Sequence, residues 1–343
     1  MSKTYDIAVV GATGAVGETM LGILHERTFP VGQVHALASA RSAGKRVEFA
    51  DKQLVVQDLA EFDFSTVQIG LFSPGASVSK VYAPKAAAAG CVVIDNTSQF
   101  RYDDDKPLVV PEVNAHAIAK YRDTGIIANP NCSTIQMLVA LKPLHDEARI
   151  TRINVCTYQA VSGTGKEAIE ELGQQTARLL NGLDVSAEVY PKQIAFNALP
   201  HIDTFQDNGY TKEEMKMVWE THKIMEDDTI RVNPTCVRIP VFYGHSEALH
   251  VEFERPLSAE RARKLLEAAP GVVVMDERAD AGYPTAVTDA AGTDPVFVGR
   301  IREDITMACG LDLWVVSDNV RKGAALNSVQ IAECLVRDHL QGP

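Results

Sequence analysis

Between Tyr5 and about Ile127, short β-branched runs alternate with Ala-rich or amphipathic stretches of helical spacing; the runs are Asp6–Val10, Val34–Ala38, Gln68–Phe72, Val92–Ile94 and Gly125–Ala128. Strand and helix in repeated alternation predict an α/β fold with a doubly wound parallel sheet. From about Asn129 the pattern changes. A helix is followed by a strand Thr151–Tyr158, helices Lys166–Leu180 and Lys212–Met225, and strand-like segments Cys236–Tyr243, Leu249–Glu254 and Leu311–Val316. These predict a second, α+β domain. The expected division is 1–130 and 131–319, with a helical tail over 320–343 packing back on the first domain. No internal repeat or low-complexity segment interrupts the pattern.

The length of 343 residues fits two domains of ordinary size, and 46% hydrophobic with 23% charged residues is a globular composition. A formal net charge of −12 repels nucleic acid and anionic membrane on average, so neither is an expected partner. No apolar run reaches the roughly 18 residues of a membrane span. The chain passes from Met1-Ser2-Lys3 almost directly into Ile7–Val10, so no secretory leader is expected. Six cysteines at 91, 132, 156, 236, 309 and 334 show no C-x-x-C spacing, which predicts a reduced, cytoplasmic protein with no metal site.

Gly11-Ala12-Thr13-Gly14-Ala15-Val16-Gly17 follows the first strand and opens a helix running through Glu18 to about Arg27, the Rossmann-type setting in which backbone N–H groups and a helix N-terminus meet a pyrophosphate. A close packing point would also place glycines there, but strand, loop and helix together favour a dinucleotide. After the second strand, Ser39-Ala40-Arg41-Ser42-Ala43-Gly44-Lys45-Arg46 holds no carboxylate for a ribose hydroxyl, while Arg41 and Ser42 can meet a 2′-phosphate. The expected cofactor is NADP.

Asn129-Pro130-Asn131-Cys132-Ser133-Thr134 precedes an amphipathic run Ile135–Leu144, placing Cys132 at a helix start. A thiol of ordinary pKa, about 8.5, is mostly protonated at neutral pH, and the N–H groups and dipole of a helix start favour its thiolate; a cationic His nearby would add to this. The other five cysteines read as small buried hydrophobes.

With these residues, Gln159-Ala160-Val161-Ser162-Gly163, Arg238-Ile239-Pro240-Val241 and Gly244-His245-Ser246 follow in the order of one family, and over essentially its whole length the chain resembles the aspartate-semialdehyde dehydrogenases. The resemblance implies a second domain that is catalytic and dimerising, a homodimer, and small-molecule partners: aspartyl phosphate, aspartate semialdehyde and phosphate. It implies that Cys132 carries the acyl thioester, Gln159 positions the substrate, Arg238 binds its carboxylate and His245 is the acid/base. Asn131, Arg101 in Ser98-Gln99-Phe100-Arg101, and the pair Glu220 and Lys223 fall where the family binds substrate and phosphate. Ser162, Gly163 and Asn319, the last in Asp318-Asn319-Val320-Arg321-Lys322-Gly323, fall where it meets the cofactor. The implied reaction is NADPH-dependent reductive dephosphorylation of 4-phospho-L-aspartate to L-aspartate 4-semialdehyde, in lysine, methionine and threonine biosynthesis. Other acyl-phosphate reductases of this plan, or an NADP-sensing regulator sharing the glycine loop, are the alternatives.

Two features of spacing bear on these roles. Glu220 and Lys223 share a face of a helix that Thr211 caps with Glu214, which by itself describes an exposed ion pair of well under about 1 kcal/mol. Arg238 and His245, seven apart, fall on opposite faces of a regular strand, so a break is expected between them, at Gly244 rather than Pro240.

Overall fold

The computed structural model describes residues 3–340. The chain divides into two compact units, one of residues 1–130 with 324–343 and one of residues 131–323.

In the first unit, strands β1 (Tyr5–Val10) and β2 (Val31–Ala38) are joined by helix α1 (Ala15–Glu26). A hairpin that the sequence pattern did not show, β3 (Arg46–Phe49) with β4 (Lys52–Val55), follows, then the short β5 (Gln57–Asp58) and β6 (Ile69–Phe72). Helix α2 (Ala76–Ala88) leads to β7 (Val92–Asp95), and the one-turn helices α3 (Pro111–Asn114) and α4 (Tyr121–Thr124) precede β8 (Ile126–Ala128). The sheet order β5-β2-β1-β6-β7-β8 is parallel throughout and reverses direction at β1, the switch point at which such sheets bind ligands. Ile7, Val9, Ile69, Leu71 and Ile94 form the centre of its core, because strands covered on both faces bury consecutive residues.

The second unit begins with α5 (Cys132–Ala148), β9 (Ile150–Gln159), α6 (Lys166–Leu180) and α7 (Lys212–Met225). It continues through β10 (Arg231–Arg238), β11 (His245–Phe253), α8 (Ala259–Glu267), β12 (Val272–Val274), β13 (Val296–Glu303) and β14 (Gly310–Ser317). The mixed sheet runs β10-β9-β11-β14-β13-β12, with β9/β10 and β12/β13 parallel and the other pairs antiparallel. Pro234 is tolerated in β10 because that strand is an edge, where a missing N–H breaks no ladder on the open side. Helix α5 departs from the amphipathic expectation: Ser133 to Leu141 are all buried, so it is a central helix covered on every side.

The final helix α9 (Leu326–Asp338) belongs to the first unit, where Leu326, Val329, Ile331, Ala332 and Leu335 join the core. Residues 341–343 of the expected tail lie outside the described residues. No helix among the described residues is long and apolar enough to cross a membrane.

Candidate active site

The glycine loop lies between β1 and α1 in the first unit. Gly11 has φ +86°, and a Cβ there would lie 2.6 Å from the Ser73 carbonyl oxygen, so only glycine fits. At Gly17 a Cβ would fall 2.3 Å from the Gly11 oxygen, which lets the first turn of α1 close onto the loop. Helix α1 starts at Ala15 and Val16 after the cap residue Gly14, which supplies no side-chain hydrogen bond to the helix start. This backbone cradle, with Thr13 within it, fits an anionic group. Arg41 and Ser42 lie in a 3₁₀ turn directly after β2, Arg41 exposed and Ser42 buried. Arg101, also in this unit, is buried and donates from Nη2 to the Asn96 carbonyl at 2.9 Å.

In the second unit, Cys132 is the first residue of α5. Asn131 caps the helix: its Oδ1 accepts from the N–H groups of Ser133 (3.0 Å) and Thr134 (3.3 Å). Those two groups are thereby occupied, which moves any oxyanion-holding role to other donors. Two buried carboxylates fix the cap itself. Glu220 Oε2 accepts from the Asn131 backbone N–H at 2.6 Å, and Glu213 Oε1 accepts from the Asn131 amide at 2.9 Å. Helix α7 carries both, started by the Thr211–Glu214 capping box. Glu220 is fully buried, so it is not half of an exposed ion pair; Lys223, on the same helix, is only part-buried. Glu213 also receives the Gln159 amide (3.1 Å) and Lys216 Nζ (2.9 Å). Burial opposes its charge, but Lys216, Asn131 and Arg238 outweigh that and hold its pKa down to about 2.

The odd spacing of Arg238 and His245 is resolved by topology. They belong to different strands, with β9 between them: Arg238 ends β10 and His245 starts β11. The connection crosses the end of β9, where Ile239 N–H donates to the Gln159 carbonyl and the Val161 and Ser162 N–H groups donate to the Val241 and Phe242 carbonyls. The expected strand over Cys236–Tyr243 therefore stops at Arg238. Gly244, at φ +90° and with room for no Cβ against Ala286, makes the turn into β11. Arg238 stands opposite Gln159. Tyr158 faces Ser246, which brings Gln159 level with His245, and His245 faces Ser317. Arg238, Gln159, His245 and Ser317 thus form one buried row across four strands.

That row is tied to the cysteine helix, since Gln159 Nε2 also donates to Ser133 Oγ. Arg238 Nη1 donates to the Ala160 carbonyl at 2.7 Å, and its buried Nε has no partner among the described residues. The Ala160 N–H donates to His245 Nδ1 at 3.1 Å, so the neutral ring carries its proton on Nε2, which is buried and likewise unpartnered among the described residues. Burial first, then the Arg238 charge, pushes the His245 pKa down to about 3. His245 is therefore a neutral ring that presents an N–H, not the cation that would favour a thiolate. A Cβ on Gly163 would lie 3.0 Å from Arg238 Nη1 and 3.4 Å from His245 Nε2, and one on Gly323 would lie 2.7 Å from the Cys132 Cβ. Both glycines leave room over these groups. Asn319 uses its amide within this unit: Oδ1 accepts from the Gly244 N–H (2.9 Å) and Nδ2 donates to Ser162 Oγ (3.0 Å).

Sequence reasoning missed Glu213, Lys216 and Ser133. A signal for Glu213 was present, since Glu213, Met217, Glu220 and Ile224 recur at helical spacing and are all buried, placing two carboxylates on the apolar face of α7. All six cysteines are free; burial pushes the Cys91 thiol up to about 12 and the Cys236 thiol well above its ordinary value.

Residues 6–121 match the family described as semialdehyde dehydrogenase, NAD binding domain, and residues 141–322 that described as semialdehyde dehydrogenase, dimerisation domain. An aspartate-semialdehyde dehydrogenase of Legionella pneumophila is 64% identical over 340 residues, 99% of this chain and 98% of its own. The crystal structure of aspartate semialdehyde dehydrogenase II from Vibrio cholerae, complexed with ASA, matches with TM-score 0.97 at 59% identity, covering 99% of this chain and 100% of that one. The structure of aspartate semialdehyde dehydrogenase with NADP from Candida albicans matches with TM-score 0.77 at 27% identity, covering 97% and 99%.

Proposed function

Because the chain belongs to the aspartate-semialdehyde dehydrogenase family, and is on that ground an oxidoreductase, we propose that it reduces 4-phospho-L-aspartate to L-aspartate 4-semialdehyde through a thioester on Cys132. The observation that carries this reading is the buried row of Arg238, Gln159 and His245, joined through Gln159 to the first turn of the helix that Cys132 begins.

In this reaction the Cys132 sulfur attacks the acyl-phosphate carbonyl and phosphate leaves, forming the thioester; dividing the exchange of phosphate for hydride into two steps at one carbon suits covalent catalysis. Arg238 pairs with the substrate carboxylate, using the side of the guanidinium that the Ala160 carbonyl leaves over. Gln159 and Asn131, both fixed by Glu213, orient substrate and cap. His245 acts from its neutral state, offering Nε2–H to the carbonyl oxygen as charge develops on it, a preorganised donor in a buried place. The family order assigns Arg101, Glu220 and Lys223 to substrate and phosphate; of these Glu220 is fully buried and holds the Asn131 backbone N–H, which suits it to support the cap.

NADP is the proposed cofactor. When bound it would supply the hydride that reduces the thioester, and the residues that would hold it in the first unit are the loop Gly11, Thr13, Gly14, Ala15, Val16 and Gly17, with Arg41 and Ser42 for the 2′-phosphate; the family order adds Ser162, Gly163 and Asn319. Two features support this: a backbone cradle that admits no Cβ at Gly11 or Gly17, and an exposed Arg with no carboxylate after β2. The proposed form is a cytoplasmic homodimer acting in lysine, methionine and threonine biosynthesis.

The test uses the reverse direction. Enzyme given aspartate semialdehyde and NADP without phosphate should produce a burst of NADPH approaching one per active site and then stall at the thioester, and added phosphate should restore turnover. Cys132→Ser should abolish the burst. Full-speed turnover in phosphate-free buffer would overturn the thioester.

A further inference from the structure

Strand β11 carries a second ionisable group that the reaction above does not use. Glu247 lies one row along the sheet from His245 on the same inward face, opposite Thr157 on β9 and Val315 on β14. It is 0% exposed, and neither of its carboxyl oxygens has a hydrogen-bond partner among the described residues. A charge so placed, with no cation beside it, is strongly disfavoured.

The groups facing it are polar but neutral. From β9 comes the Thr157 hydroxyl, from β10 the Cys236 thiol, and from α5 the Gln136 side-chain amide. Gln136 is itself half satisfied: its Nε2 donates to the His245 carbonyl oxygen at 3.4 Å, whereas its buried Oε1 has no donor among the described residues. One proton supplies what both residues lack. Gln136 sits one helical turn after Cys132 and on the same side of α5, so whatever holds Gln136 also holds the cysteine end of that helix.

We propose that Glu247 is a neutral carboxylic acid and a positioning residue, its O–H donating to Gln136 Oε1 while the Gln136 amide donates to the His245 carbonyl, so that this chain of hydrogen bonds sets the cysteine helix against the histidine strand. Burial, which raises the Glu247 pKa well above its ordinary value, agrees with the protonated form. The proposal rests on the reading of Cys132 and His245 given above as the reacting pair.

Infrared difference spectroscopy of the full chain at neutral pH, wild type against Glu247→Gln, reads the proton directly and without substrate. A protonated-carboxyl C=O band should be present in the wild type and missing from the variant; its absence from the wild type overturns the proposal. The kinetic arm compares two variants. Glu247→Leu keeps the packing but loses the donor, and should lower kcat roughly five- to fifteenfold, one hydrogen bond's worth, with the KM for NADP unchanged. Glu247→Gln can still donate to Gln136 and should recover most of that loss. If Gln is as damaging as Leu, the group is needed as a carboxylate and the proposal fails. If the wild type shows no turnover of aspartate semialdehyde, the functional reading falls, while the infrared band still decides the state of Glu247.

Discussion

Glu213→Gln removes one buried negative charge and keeps a side chain of the same size. In the wild type, burial disfavours the carboxylate, but Lys216, Asn131 and Arg238 more than offset this and bring its pKa from 4.5 to about 2. At about 1.4 kcal/mol for each pKa unit, that difference stabilises the folded chain by about 3 kcal/mol. The folded-state pKa lies below the unfolded one, so the stabilisation is complete above about pH 4.5 and is lost as the pH falls towards 2, more than half of it by about pH 3. Glu213→Gln should therefore lower stability by about 3 kcal/mol at pH 7, and the gap to wild type should close on acidification. The charge of Lys216 keeps Asp203 as a partner at 2.9 Å, which limits the damage to the Glu213 side. Urea unfolding followed by tryptophan fluorescence is suited to this, because Trp219 and Trp314 are the chain's two tryptophans and both lie in the second unit. A loss below about 1 kcal/mol at pH 7, or a gap equal at pH 3 and pH 7, would show that Glu213 is not held ionised by this network.

Arg41→Ala should raise the KM for NADP roughly tenfold or more, one charge-assisted hydrogen bond's worth, and leave NAD kinetics nearly unchanged; equal losses with both cofactors would remove Arg41 from that role. Arg238→Lys keeps the charge but loses the planar fork, so kcat/KM should fall roughly 10- to 150-fold with the fold retained, and near-normal kinetics would refute carboxylate recognition there. His245, lowered to about 3, should stay neutral through pH 5 with its proton on Nε2. Since the unfolded chain takes up that proton first, the ring's contribution to stability is full above about pH 6.5 and falls as the pH drops towards 3. Nitrogen NMR of the imidazole checks this, and an imidazolium at pH 6 would contradict it.

How much of this was legible in the chain follows from which signals are local. The bounds of α6 and α7 could be read directly, because a capping box and a steady amphipathic period are properties of neighbouring residues. The five runs of the first sheet were legible to within a few residues because buried parallel strands are continuous apolar runs. The hairpin β3–β4 was not, since its strands are four residues each and mostly exposed, with Val47 alone fully in the core, too little to impress a pattern. Cys132 at a helix start and Asn131 before it could be read from polar flanks around an apolar run, although the all-round burial of α5 could not.

The sequence by itself determined most of the helices and core strands and some of what stands at their ends: the glycine turn after the first strand, the cysteine at a helix start, and an Arg and a His seven residues apart. Only the tertiary structure decided how the residues of the second unit meet. Spacing along one strand sets Arg238 and His245 on opposite faces; strand order, with β9 inserted between β10 and β11, puts them in one row with Gln159. The charge states were equally out of reach, because they depend on burial and on partners distant in sequence. Glu213 is held ionised by Lys216, Asn131 and Arg238, and His245 is held neutral by burial, the Arg238 charge and the Ala160 N–H, none of which a reading of adjacent residues contains.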